Sequence, residues 1–403
     1  GGSTFLNNGI CFEIPPSVLR DWDRLGCEVP RADLAQAYDR VRKDIGILAL
    51  GEHAALVERG AHRFVDGCKI LGKECAWFDA NLGACVGCGY CTSGCFLGKK
   101  TSTDRSYIPE AIEHGATLYA DTRALSIYHQ RGKASAVRCR TSEGRDFVVN
   151  AKKVVVSCGA VHSSLLLQRS GIHKNVGTRV SFNVGSWVYA EFREPVDSFD
   201  GVQMCAYHAE RRFFVETMAM PPGVFAASMP CWFEDHFDNM MRYRYFALAG
   251  AMVGTRPVGR VKASGLPGLA NVLSPLHFQL PISDLRKLRA GVRETCRIWL
   301  AAGAVRVLPA TTTGVEFTHP NQLGRLDELV VEAEDLSFGS AHPQGGNPMS
   351  DDPAIGAVDT KFRVHGFDNL YVVDASVFPS SVCVNPQLAI MAMADLAAEG
   401  IKP

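Results

Sequence analysis

The sequence predicts a mixed α/β protein that is divided into two lobes. Its 403 residues exceed the roughly 250 to 300 at which a single hydrophobic core stops growing. A run of mostly β-branched residues at Lys153 to Ser157, followed by Gly159-Ala160 and an apolar helical pattern, is typical of a layered α/β lobe. Between about residues 185 and 336 the pattern changes to spaced strand-like segments, which predicts an inserted lobe built on an antiparallel sheet with helices.

The elements in the first part of the chain follow from apolar periodicity and from turn residues. We expect, in chain order, an amphipathic helix over 31–49, a second over 53–71, a Gly- and Cys-rich loop over 81–98, a helix over 107–114, a strand over 116–119 and three strands between 124 and 156. Gly51 and Gly72 would end the two amphipathic helices, because glycine readily adopts the left-handed conformation found at helix C-termini.

Strands and helices also alternate in the rest of the chain. We expect a helix over 163–170 closed by Gly171, strands over 187–192 and 271–280, a helix over 283–302, a buried strand over 370–373 and a last helix led by Pro386. Proline is favoured in the first turn of a helix, where its missing N–H has no intrahelical partner to lose.

Composition and charge exclude several classes of protein. Lys plus Arg equals Asp plus Glu at 42 each, so the chain lacks the basic excess that would neutralise nucleic acid phosphates. No apolar run approaches the roughly 20 residues of a membrane-spanning helix. We therefore expect a soluble protein with no nucleic acid partner and no membrane span. Its compartment is undetermined, with the cytoplasm favoured.

The C-terminal region carries the strongest functional signal. Ala341-His342-Pro343 is followed by Val372-Val373-Asp374-Ala375 and then by Val384-Asn385-Pro386-Gln387. The buried strand ends at Asp374, and ligands of open α/β sheets bind at that edge. The last helix would direct its free N-terminal amides toward whatever lies beside Asn385. The three segments therefore predict one ligand site.

This stretch resembles the closing segment of the glucose-methanol-choline (GMC) oxidoreductase family, over about sixty residues. The resemblance implies that His342 is the catalytic base and that Asn385 is its partner. It further implies FAD as cofactor, with Asp374 and Ala375 at its ribityl-pyrophosphate part. Pro386 and Gln387 begin the helix whose N-terminus would stabilise the negative charge of the reduced flavin.

Two further segments are similar to the family. Gly159-Ala160 and the following residues to Ile172 resemble its second characteristic pattern, except that His173 stands where the family usually has Gly. Gly1-Gly2-Ser3-Thr4 to Asn7 resembles the loop that lies against the flavin, so Gly2, Ser3 and Asn7 are candidate cofactor contacts along with Gly159 and Ala160. The family's Gly-x-Gly-x-x-Gly fingerprint is missing. We therefore expect an N-terminally truncated fragment, with a Rossmann-like FAD-binding lobe that lacks its first βαβ unit.

Four cysteines form a cluster with the spacing C-x2-C-x2-C-x3-C, namely Cys85, Cys88, Cys91 and Cys95. Bacterial ferredoxins use this spacing to bind an iron–sulfur cluster, but there a proline follows the fourth cysteine, where this chain has Phe96. The loop also resembles that of the long-chain alcohol oxidase branch of the family, whose cysteines are not generally assigned a metal. An iron–sulfur cluster, reduced thiols or a disulfide, and zinc are the alternatives.

We expect a flavin-binding lobe from residues 1–184, with a helical and Cys-rich part over 31–98, and from 337–403. Residues 185–336 would form the substrate lobe. The expected reaction is oxidation of a primary or secondary alcohol by hydride transfer to flavin N5, and a hydrophobic alcohol is the expected substrate. Oxygen, a quinone or a cytochrome would be compatible as electron acceptor. A lyase with a structural flavin and an iron–sulfur electron-transfer module are the alternative functions.

Overall fold

The computed structural model describes residues 2–264 and 274–401. Its α-helices, in chain order, are α1 Ser3–Leu6, α2 Pro16–Asp23, α3 Arg31–Asp44, α4 Arg59–Ile70, α5 Tyr107–Glu113, α6 Gly159–Arg169, α7 Pro222–Ser228, α8 Phe233–Met241, α9 Ile282–Ala301, α10 Leu326–Leu329 and α11 Gln387–Gly400. Within these described ranges, no helix is both long enough and apolar enough to cross a bilayer.

The β-strands, in chain order, are β1 Leu48–Ala49, β2 Ala76–Trp77, β3 Asp79–Ala80, β4 Thr122–Gln130, β5 Lys133–Thr141, β6 Asp146–Asn150, β7 Val154–Val156, β8 Thr178–Glu191, β9 Ala206–Ala209, β10 Phe214–Thr217, β11 Phe246–Gly254, β12 Arg260–Val261, β13 Leu276–His277, β14 Arg306–Pro309, β15 Pro343–Gly346 and β16 Leu370–Val372. Strands β4, β5 and β6 form a small antiparallel sheet, and the pairs β1–β3 and β12–β13 are also antiparallel.

A large antiparallel sheet forms the middle of the molecule. Its strand order is β14-β8-β11-β10-β9-β2, and β15 pairs with the first part of β8. Helices α9 and α4 pack on this sheet and on each other, and the fully buried Phe64 and Trp299 meet between them. Burying such aromatic side chains removes a large apolar area from water. The mixed α/β fold predicted from the sequence, including an antiparallel sheet with helices, is confirmed.

A second hydrophobic core lies around the parallel pair of β7 and β16. Helices α3 and α11 pack together beside it, and Trp22, Phe378 and Leu388 are among its fully buried side chains. Val154 and Val156 are buried, whereas Val155 between them is 47% exposed. The run that is typical of a layered α/β lobe is therefore buried on one face only in the described structure. Side chains alternate along a strand, and only one face of β7 contacts this core.

Several predicted boundaries also differ from the structure. The helix predicted over 31–49 ends at Asp44, because Gly46 already has the positive φ of 58° that stops it. The helix predicted from residue 53 begins at Arg59, where the buried Glu58 side chain caps Gly60 N–H. Residues 116–119 form no strand. Of the strand predicted over 271–280, residues 271–273 lie outside the described residues.

The division of the chain into lobes stays a prediction, but the packing adds one fact to it. Strand β2 pairs with β9 of the large sheet, and α4 belongs to the core of the same sheet. Both elements come from the 31–98 segment that was expected to extend the flavin-binding lobe. Their apolar side chains pack in the core of the large sheet and those of α3 pack in the second core, so this segment contributes to both hydrophobic cores.

Candidate active site

The parallel strands β7 and β16 end side by side, and Asp374 joins the two turns that follow. Its Oδ2 accepts hydrogen bonds from Gly159 N–H at 2.8 Å and from Ser163 Oγ–H at 2.5 Å. Its Oδ1 accepts one from Ser376 N–H at 2.8 Å, which begins a 3-10 turn containing the buried Ala375. Bonds from N–H groups to an ionised carboxylate are stronger than neutral ones. Asp374 thus fixes the edge at which a ligand would lie.

The turn from β7 into α6 leaves room for a ligand against its backbone. Gly159 has a φ of 80°, which L side chains rarely adopt, and a Cβ added there would meet no atom within 4 Å. Ala160 behind it is buried in the protein. These two residues were predicted to contact the cofactor, and the open space beside Gly159 is compatible with that prediction.

The N-terminus of α11 lies next to the N-terminal loop. Pro386 precedes the first helical residue, and the first turn carries neither a side-chain cap nor an acidic residue. The Gln387 side chain accepts a short hydrogen bond from Asn7 Nδ2 and donates to Asn81 Oδ1 at 3.1 Å. The structure therefore brings Asn7 and Gln387 together, as their shared assignment to one cofactor requires.

The N-terminal loop is held by a buried lysine that the sequence did not single out as a site residue. Lys100 Nζ donates to Phe5 O at 2.8 Å and, at shorter range, to Asn7 O. Gly2 and Ser3, both exposed, begin the short helix α1. In the same loop, the amide oxygen Asn8 Oδ1 is buried and has no hydrogen-bond partner within the described residues.

His342 lies beside Asn183, a residue of β8 that is 1% exposed. Asn183 Nδ2 donates to Val384 O at 2.7 Å and lies 3.4 Å from His342 Nδ1. The longer contact exceeds the usual hydrogen-bond range, so it does not fix which nitrogen of the imidazole carries the proton. Burial lowers the pKa of His342 to about 4. The imidazole is therefore neutral at physiological pH.

Asn385 follows Val384 directly and is 7% exposed. Its side chain lies near enough to the carboxyl group of Glu216 on β10 to lower the pKa of that acid, while its own Oδ1 is a buried atom that lacks a partner in the described part of the chain. Burial raises the pKa of Glu216 to about 7. Asn183 thus links the imidazole of His342 to the segment that carries Asn385.

Close contact between the sheet and this C-terminal segment depends on a glycine. Gly254, at the end of β11, lies directly opposite Asn183 in the sheet. A Cβ at Gly254 would overlap Cys383 Sγ and would lie 2.7 Å from Ser381 Oγ. Ser381 Oγ in turn donates to Asn183 Oδ1. The missing side chain therefore allows residues 381–385 to lie against the sheet.

The four clustered cysteines are free thiols in the structure. Cys95 Sγ accepts backbone N–H bonds from Lys99 at 3.2 Å and Lys100 at 3.3 Å, which leaves it fixed within its own loop. Among the residues that the structure describes, no three His, Cys, Asp or Glu side chains form a group that could hold a metal ion. The arrangement of Cys85 to Cys95 therefore does not support the iron–sulfur alternative or the zinc alternative.

Comparisons with known proteins agree on one family. The N-terminal family model described as GMC oxidoreductase matches residues 1–184, and its C-terminal counterpart matches residues 255–394. A GMC-type oxidoreductase of Mycobacterium tuberculosis is 29% identical over 405 residues, which cover 98% of this chain and 62% of that protein. A long-chain-alcohol oxidase of Arabidopsis thaliana is 25% identical over 438 residues, which cover 98% of this chain and 57% of that oxidase.

Solved structures show the same fold at lower identity. Pyridoxine 4-oxidase from Mesorbium loti superposes with a TM-score of 0.72 at 17% identity, covering 99% of this chain and 83% of that one. Formate oxidase of Aspergillus oryzae has a TM-score of 0.73 at 14% identity, with the same two coverages. With both family models matched across most of its length, the chain belongs to the GMC oxidoreductase family.

Proposed function

We propose that the protein oxidises a primary or secondary alcohol to an aldehyde or ketone and uses FAD as the hydride acceptor. The single observation that carries the proposal is that Asn183 lies between His342 and the segment that carries Asn385. Asn183 Nδ2 is 3.4 Å from His342 Nδ1 and donates to the carbonyl of Val384, the residue before Asn385, and the imidazole is neutral there. A neutral imidazole beside an amide can take the hydroxyl proton while the amide orients the alcohol oxygen.

Features of the described residues fit a flavin at this site. The N-terminus of α11 presents backbone N–H groups that no side chain caps, and such an end stabilises negative charge. Gly159 leaves open space beside the edge that Asp374 organises. The unpartnered Asn8 Oδ1 lies in the loop that the family places against the flavin. The flavin would supply the hydride acceptor, and Gly159, Ala160, Asp374, Ala375 and Gln387 would hold it.

In the proposed mechanism the protein's own groups position the alcohol and move one proton. His342 Nε2 accepts the hydroxyl proton, and Asn385 Nδ2 donates a hydrogen bond to the alcohol oxygen as negative charge develops on it. Asn183 lies beside the imidazole, 3.4 Å from its Nδ1, and limits its rotation.

A hydrophobic alcohol is the proposed substrate class. Asn8 Nδ2 contacts Met204 Sδ at 2.8 Å and Met218 Sδ at 3.5 Å, so methionine side chains lie next to the N-terminal loop. Relatives of this chain include long-chain-alcohol oxidases of Arabidopsis thaliana and a cholesterol oxidase of Acinetobacter baumannii. The electron acceptor, whether oxygen, a quinone or a cytochrome, is not assigned.

The proposal is tested by anaerobic stopped-flow reduction of the flavin-loaded protein with aliphatic alcohols of increasing chain length. We expect bleaching of the flavin absorbance by the wild type, and a rate that is roughly 10²-fold lower in His342→Gln, which keeps a polar side chain but lacks the base. Flavin content measured in both proteins controls for loss of binding. Equal reduction rates in the wild type and in His342→Gln would overturn the assignment of the base.

A further inference from the structure

Glu216 is a buried carboxyl group that the proposed mechanism does not use. It lies on β10, is 6% exposed, and stands directly opposite Gly250 of β11 and Tyr207 of β9. Side chains that are directly opposite in a sheet share one face. Gly250 has no side chain, and a Cβ there would overlap the indole ring of Trp187 on β8. Glu216 therefore lies between aromatic residues.

The contacts of Glu216 leave two buried oxygens without partners. The Asn385 side chain lies near enough to lower the pKa of the Glu216 carboxyl group, yet Glu216 Oε2 and Asn385 Oδ1 both lack a hydrogen-bond partner within the described residues. Buried polar atoms without a partner cost free energy, so such pairs are rare. A carboxylic acid and a carboxamide can form two antiparallel hydrogen bonds. A proton on Glu216 Oε2 would supply the donor that Asn385 Oδ1 lacks.

The surroundings of Glu216 favour this protonated form. Burial raises its pKa to about 7, and Asn385 is the only other group that shifts it in the described structure. The residues facing it across the sheet are Tyr207, Gly250 and Trp187, of which only Tyr207 titrates. Burial also raises the pKa of Tyr207, so its phenol stays neutral near pH 7. Over residues 2–264 and 274–401, no cationic side chain pairs with Glu216 to stabilise a carboxylate.

We infer that Glu216 is a positioning residue, which as a neutral acid pairs with the Asn385 amide and directs the second Nδ2 hydrogen of Asn385 toward the alcohol oxygen. This inference rests on the proposed function. The pair uses one Nδ2 hydrogen and Oδ1, so the remaining Nδ2 hydrogen is the only donor that Asn385 can offer to a substrate. Fixing that donor in advance lowers the cost of stabilising charge on the oxygen.

The pairing predicts a pH dependence with two limbs. Neutral His342 is required, and its pKa of about 4 sets the acidic limb. Ionisation of Glu216 breaks the second bond of the pair and places a buried negative charge beside an oxygen on which negative charge develops. The rate of flavin reduction should therefore fall as the pH rises through about 7.

The test uses variants that separate positioning from folding. Glu216→Gln is neutral at every pH and can form the same two bonds, so it should keep a rate within roughly threefold of the wild type near pH 6 and lose the alkaline limb. Glu216→Leu cannot pair with Asn385 and should reduce the limiting rate by roughly 10²-fold. Glu58→Gln is the matched control, because Glu58 is also buried, with a pKa raised to about 8, but caps α4 instead. Glu58→Gln should leave the alkaline limb unchanged.

A second readout does not depend on activity. Infrared spectra of the protein should show the carbonyl band of a protonated carboxyl group that titrates near pH 7, disappears in Glu216→Gln and shifts in Asn385→Ala. An alkaline limb that Glu216→Gln retains, or a Glu216 that is ionised throughout the titration, would overturn the inference. If none of the alcohols reduces the flavin of the wild-type protein, the proposed function fails. The infrared titration still decides whether the acid–amide pair exists.

Discussion

Replacing Gly254 by Ala tests whether close packing of residues 381–385 on the sheet positions Asn385. An added Cβ would overlap Cys383 Sγ, and it would lie 2.7 Å from Ser381 Oγ and 3.3 Å from Cys383 Cα. Carbon atoms in ordinary contact are about 3.5–4.0 Å from their neighbours, so the segment must move by roughly 0.5–1 Å. Asn385 follows two residues after Cys383 and would move with it.

The magnitude follows from that displacement. Overpacking of this kind typically costs about 1–3 kcal/mol of stability. A misplacement of about 1 Å at a reacting group can lower the rate by roughly 10²-fold. We therefore expect Gly254→Ala to stay folded and to bind flavin, but to be reduced by alcohol at a rate lower by roughly 10- to 100-fold.

Anaerobic stopped-flow reduction measures the rate, and urea unfolding measures the stability. Gly324→Ala is the matched control, because a Cβ there would meet no atom within 4 Å, and its reduction rate should equal that of the wild type. Adding Cys383→Ala to Gly254→Ala removes the overlapping sulfur and should recover part of the lost rate. If the flavin of Gly254→Ala were reduced by alcohol at the wild-type rate, the packing argument would be refuted.

Three further predictions follow from the same contacts. The pKa of His342 is lowered to about 4, so between pH 6.5 and pH 4 the unfolded chain binds a proton at this residue and the native state does not. The free energy of unfolding should therefore fall by up to about 3 kcal/mol as the pH drops from 6.5 to 4. His342→Gln should remove this pH dependence, as measured by urea unfolding at several pH values. Asp374→Ala leaves Gly159 N–H and Ser376 N–H without their acceptor, so the free energy of unfolding should decrease by roughly 2–5 kcal/mol. An unchanged free energy of unfolding would show that Asp374 does not hold these two turns together. Iron and sulfide analysis should find no cluster bound at Cys85–Cys95, and a stoichiometric cluster would show that these thiols rearrange.

The sequence offers local signals for His342, Asp374 and Asn385, but none for the strand residues that lie between them in the candidate site. His342 and Asn385 stand in motifs whose order can be read along the chain, and Asp374 closes a run that is typical of a buried strand. Each of these residues carries a local signal, such as a neighbouring proline or the end of an apolar run. The structure then shows what Asp374 ties together.

Asn183 and Glu216 could not be found in the same way. Both lie inside strands, where a polar residue at an alternate position normally faces water. Their burial depends on the register that places Asn183 opposite Gly254 and Glu216 opposite Gly250, and a single sequence does not contain that pairing. The same limit applies to α4, because amphipathicity identifies an apolar face but not the surface that it covers.

The central claim is that one hydroxyl group is shared by the side chains of His342 and Asn385. It is tested most directly by a crystal structure of the flavin-loaded protein with a non-oxidisable analogue of a long-chain alcohol, such as its fluorinated form. We predict that the analogue's hydroxyl group lies within hydrogen-bond distance of both His342 Nε2 and Asn385 Nδ2. An alcohol bound elsewhere, or held while either side chain points away from it, would contradict the account.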